Sequence, residues 1–79
     1  MSEDKRVYYG QVIWFDAKKG MGFIEWSKDG EKQKDMFVHF SDIKANGFKT
    51  LQKDQHVTFK IGVNKNNLPK AVEVEVLTN

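Results

Sequence analysis

The sequence predicts an all-β domain, a small five-stranded antiparallel barrel. Three observations carry that prediction. Val57, Phe59, Ile61 and Val63 alternate with His56, Thr58, Lys60 and Gly62, the period-two pattern of a half-buried strand. Four further short runs rich in β-branched and aromatic residues are set apart by polar turns. No segment sustains a 3.6-residue apolar period, and no internal repeat or domain boundary is visible. Five strands in 79 residues, with one long connection after the third, manage their edges best by closing on themselves.

Taken in order, residues 1–6 read as a loose charged tail and residues 7–79 as one domain. Val7 to Phe15 is the first strand. Strict alternation places Val12 and Trp14 on one side and Phe15 on the other, so both rings share a face only if a bulge or strong twist intervenes near Trp14. Asp16 to Gly20 is a turn with Lys18 and Lys19 at its tip. Met21 to Trp26 and Asp35 to Phe40 are the second and third strands. Between them, Ser27 to Lys34 reads as a polar hairpin loop around Asp29-Gly30, with Lys28, Lys32 and Lys34 solvated. Trp26 has inward parity, which suits a cap on the barrel end. Ser41 is placed to cap a single helical turn. Residues 44–54 form a long connection that carries Phe48. Gln55 onward gives the fourth strand, Asn64 to Pro69 a turn, and Val72, Val74 and Val76 alternate with Glu73, Glu75 and Leu77 in the fifth.

Composition narrows the function. There is no cysteine, so there is neither a disulfide framework nor a thiolate metal site, and His39 and His56 match no short ligand spacing. No cofactor is expected. Thirteen basic and eleven acidic residues leave a net charge of +2, too little for a purely electrostatic polyanion binder. The charged start lacks the apolar core of a secretory signal, and no apolar run approaches the ~20 residues of a membrane span. The chain reads as cytoplasmic and monomeric. No nucleophile is paired with a base, so an enzyme is not expected.

The second and third strands hold the chemistry. Ile24, Met36 and Val38 fall on one side as ordinary core. The opposite side carries Met21, Phe23, Phe37 and His39 beside the charges of Glu25 and Asp35. Charged groups are rarely buried unpaired, so this face is open. Flat rings near cations are what single-stranded nucleic acid requires, since every base offers a π-face and the backbone is anionic.

Lys19-Gly20-Met21-Gly22-Phe23-Ile24 followed by Asp35-Met36-Phe37-Val38-His39-Phe40 resembles the paired ribonucleoprotein motifs of the cold-shock domain family. Gly10 to Phe15, Gly47 to Leu51, Val57 to Phe59 and Pro69 to Val72 extend the likeness from about Val7 to Val76. It implies the Greek-key barrel of the oligonucleotide-binding (OB) fold. It also implies low-specificity binding of single-stranded RNA or DNA, and a role as RNA chaperone or regulator of transcription or translation. Trp14, Phe23 and Phe37 are the candidate stacking rings, with Phe15, His39, Phe40 and Phe48 as further planar contacts implied by the resemblance. Lys19 is the candidate phosphate contact, with Lys18 and Lys70 weaker ones. Asp35 is placed to accept from a base edge or to pair with a lysine, and Met21 to cover a base edge with its sulfur. The chain departs from the family pattern at Ile13, Asp16, Met21 and Asn66-Asn67-Leu68, which removes cations and one ring and implies weaker binding. The rival reading is a barrel that uses the same aromatic face to bind protein.

Overall fold

A computed structural model of the chain describes residues 6–45, 47 and 49–77. Its elements are β1 (Tyr8–Asp16), β2 (Met21–Lys28), β3 (Glu31–Lys32), β4 (Met36–His39), a 3₁₀ turn η1 (Phe40–Asp42), β5 (His56–Val63) and β6 (Pro69–Val76). All strand pairs are antiparallel, in the order β3-β2-β1-β5-β6, with β4 pairing β2 as well. The sheet then curls so that the chain leaving η1 meets β6. Ile43 and Val74 form a parallel bridge, and the Lys44 N–H donates to the Val74 carbonyl at 2.7 Å. Lys44–Glu75 at 2.7 Å and Lys70–Asp42 at 2.9 Å flank that seam. The result is an all-β barrel whose last join is a bridge rather than a full ladder.

Val12, Ile24, Val38, Val57, Phe59 and Val74 fill the interior with almost no exposed surface. Each such side chain contributes roughly 1.5–3 kcal/mol relative to leaving it in water. Ile43 and Leu51, from the connections, complete the core. Trp26 closes one end, as its parity predicted. Its ring meets Tyr8 and Phe59 edge-on at 5.0 and 5.5 Å, and its Nε1–H donates to the Lys34 carbonyl at 2.9 Å. That donation removes the cost of burying an indole N–H without a partner.

Three sequence expectations need correction. The Ser27 to Lys34 segment is not only a loop: Ser27 and Lys28 pair with Lys32 and Glu31, which makes six strands instead of five. Asp29 and Gly30, at φ +53° and +84°, form the two-residue turn whose twist matches a hairpin. The helical turn starts at Phe40, and its cap is His39, whose Nδ1 faces the Ser41 N–H and Oγ. In β6 the simple alternation fails, because the pairing with β5 slips between Thr58 and Lys60 and Glu73 sits at φ +50°. This extra residue turns Ala71 and Val74 inward together and leaves Val72 and Val76 partly exposed. Of the residues ahead of β1, the Arg6 guanidinium lies 5.2 Å from the Tyr8 ring centroid.

Candidate nucleic-acid interface

The site is built by register. On β2, Met21, Phe23 and Glu25 alternate outward from Gly22, Ile24 and Trp26, and β4 presents Phe37 and His39 opposite them. Without an irregularity, β1 would set Trp14 opposite Gly22, on the core side with Val12. The β1–β2 pairing slips between Val12 and Trp14, so Trp14 instead stands opposite Phe23. One bulge moves the indole from the inside to the outside of the barrel.

Trp14, Phe23 and Phe37 consequently form a row across three strands. Ring centroids are 5.6 Å apart for Trp14–Phe23 and 5.9 Å for Phe23–Phe37, tilted by 56° and 71°. Tilted and edge-on pairs hold each other by quadrupole contact while leaving ring faces open. Trp14 is 44% exposed, and the two phenylalanines are half-buried. A second row follows, with Asp16 opposite Met21 and Met21 opposite His39.

The bulge does not bring Phe15 to this face. Phe15 stands opposite Gly22 and packs half-buried against the core, because alternation resumes after Trp14. Phe40 departs from its core parity in the other direction. β4 ends at His39, η1 begins, and the Phe40 ring swings over Gly20 with 45% of its surface exposed. Its ring lies 4.6 Å from that of His39, and its N–H donates to the Gly20 carbonyl at 2.8 Å. Gly20 carries no Cβ that would collide with the ring.

Cations gather beside Phe40. A cleft there is lined by Lys18, Lys19, Gly20, Phe40, Gly47 and Lys49. The Asp16 carboxylate shapes the turn by accepting from the Lys18 and Lys19 N–H groups at 2.9 and 3.1 Å, which leaves both ammonium groups outside. Sequence reasoning had not singled out Lys49; its place directly after Gly47-Phe48 was the available signal. Phe48 itself lies outside the described residues. Lys70 is engaged by Asp42 rather than held for a ligand.

At the other edge of the rings, Lys32 on β3 lies between two carboxylates, 3.7 Å from Glu25 and 3.8 Å from Asp35. Asp35 therefore has the lysine partner that was one of its two expected roles. The hairpin also offsets negative charge next to the stacking row. No group of three or more potential metal ligands occurs among the described residues, and no described helix is long and apolar enough to cross a membrane.

Comparison with known proteins agrees with this geometry. Residues 8–77 match the family model described as the 'Cold-shock' DNA-binding domain. The chain is 44% identical to "Cold shock-like protein CspA" of Bordetella pertussis over 68 residues, covering 86% of this chain and 96% of that protein. It is 50% identical over 68 residues to "Cold shock-like protein CspC" of Escherichia coli, covering 86% and 93%. Among solved structures, "drosophila Unr CSD456" superposes with a TM-score of 0.71 over 92% of this chain. At 16% identity, and with only 27% of that chain covered, it speaks for the fold alone. The chain belongs to the cold-shock domain family of nucleic-acid-binding proteins.

Proposed function

We propose that this domain binds single-stranded RNA or DNA, with little base preference, by stacking bases on Trp14, Phe23 and Phe37. The observation that carries the reading is the outward aromatic row, which a β-bulge completes at the expense of regular strand pairing. His39 and Phe40 continue it as planar contacts, Met21 covers the base edge beside them, and Lys19 with Lys18 and Lys49 faces the backbone. Bases differ in their edges but all present a π-face, so such a surface is sequence-tolerant.

The domain then acts as an RNA chaperone in the cytoplasm. It takes up open strands and not duplexes, and mass action disfavours pairing without any covalent step or cofactor. One copy, folding as a single domain, is sufficient for this role. Replacing Phe23 or Phe37 by alanine is expected to weaken single-strand binding by roughly 1–3 kcal/mol. Unchanged affinity for oligouridine and oligothymidine in both variants, with the fold intact by circular dichroism, would refute the stacking assignment.

A further inference from the structure

We propose that the nucleic-acid surface extends past the known motif residues to a second base-stacking site at Tyr9 and His56. This inference rests on the reading above and concerns the same strand of nucleic acid. Tyr9 is 60% exposed, and its ring lies 6.1 Å from that of His56, tilted by 35°. A lone exposed tyrosine is unremarkable, but these two rings edge a groove of about 470 Å³ that also involves Gln11, Glu25, Ser27 and Lys32. That volume falls within the roughly 300–1,000 Å³ of small-ligand sites.

Register shows why this groove belongs to the same surface. Gln11 pairs with Glu25 on one side and His56 on the other, while Tyr9 pairs with Thr58. All of them share the outward parity of Phe23. Tyr9 precedes Trp14 by five residues, about 15 Å along a strand. A single strand of nucleic acid leaving Trp14 can therefore run along β1 without lifting from the sheet. The carboxylates of Glu25 and Asp35 would repel its phosphates, and Lys32 stands between them at 3.7 and 3.8 Å. The β2–β3 hairpin thus makes passage electrostatically tolerable, and it forms one wall of the groove. Gln11 donates from Nε2 to the Asp54 carbonyl at 3.1 Å, so its Oε1 is fixed in place to accept from a base edge.

The test uses oligothymidines of about six and about twelve nucleotides, within the roughly 4–16 that an OB barrel covers. Wild type, Tyr9→Ala and Tyr9→Phe are titrated with both. Tyr9→Ala is expected to leave the short oligomer unaffected and to weaken the long one about fivefold or more, with Tyr9→Phe restoring it. Equal length dependence in wild type and Tyr9→Ala overturns the extension while leaving the Trp14–Phe37 row standing. Failure of wild type to bind either length overturns both.

Discussion

At the scale of single residues, parity explains most of what each side chain does, and the exceptions occur where parity is broken. Phe40 was assigned to the ligand face against its alternation, and the 3₁₀ turn beginning at that residue supplies the physical reason for its exposure. Phe15 was assigned to the same face and packs toward the core instead. Ile13 occupies the bulge, half-buried. Replacing Ile13 by lysine is expected to add one phosphate contact and steepen the log–log salt dependence of binding by about 0.7. An unchanged slope would mean that position 13 does not reach the backbone. His39 illustrates a role the sequence could not separate from stacking: its Nδ1 is spent on Ser41, which fixes the ring plane beside Phe40.

At the scale of elements, β1 is the informative case. The alternation in Val7 to Phe15 was readable, and so was the conflict it created, since Trp14 would have been buried beside Val12. The position of the slip was not readable, because a bulge is decided by what the neighbouring strand can accept. Here the accepting residue is Gly22, where any Cβ would run into the Trp14 carbonyl oxygen and lie 2.8 Å from Phe15 Cα. Gly22→Ala is therefore expected to cost at least the roughly 1–3 kcal/mol typical of overpacking, since backbone atoms cannot rotate away. Denaturant unfolding measures this directly, and a loss below about 0.5 kcal/mol, ordinary for a neutral site, would contradict the tight β1–β2 approach. The β2–β3 hairpin follows similar logic. Asp29-Gly30 was visible as a turn, but the pairing of Ser27 and Lys28 depends on Trp26 anchoring to Lys34, a contact across eight residues.

At the scale of the whole molecule, the closed barrel was legible from strand count and from the likeness to the cold-shock family, whereas the residues of its closing seam were not. The seam joins Ile43 to Val74, and a bulge at Glu73 sets which valines face in, so period two alone misassigned Val72 and Val76. The Lys44–Glu75 pair reports on that seam. Its hydrogen bond and charge hold the Glu75 carboxyl below the usual glutamate range and raise the Lys44 ammonium above its own. A lowered carboxyl pKa adds stability above the unfolded-state value that disappears as pH falls through the folded-state value. The stability difference between wild type and Glu75→Gln is thus expected at about pH 7 and shrinks as the pH falls through the lowered Glu75 value. It is also expected to be small, because the pair is exposed to solvent. A difference that persists in acid would assign Glu75 a role other than this ion pair. If bases stack on the outer aromatic row as proposed, Trp14 is the side chain that reports it. In a Trp26→Phe background the remaining indole is the one on that face, and its fluorescence is followed during titration with oligothymidine at low and high salt. Strong quenching that survives added salt is the predicted result, because stacking is screened far less than charge. Absence of quenching, or quenching abolished by salt, would contradict a surface that works by stacking.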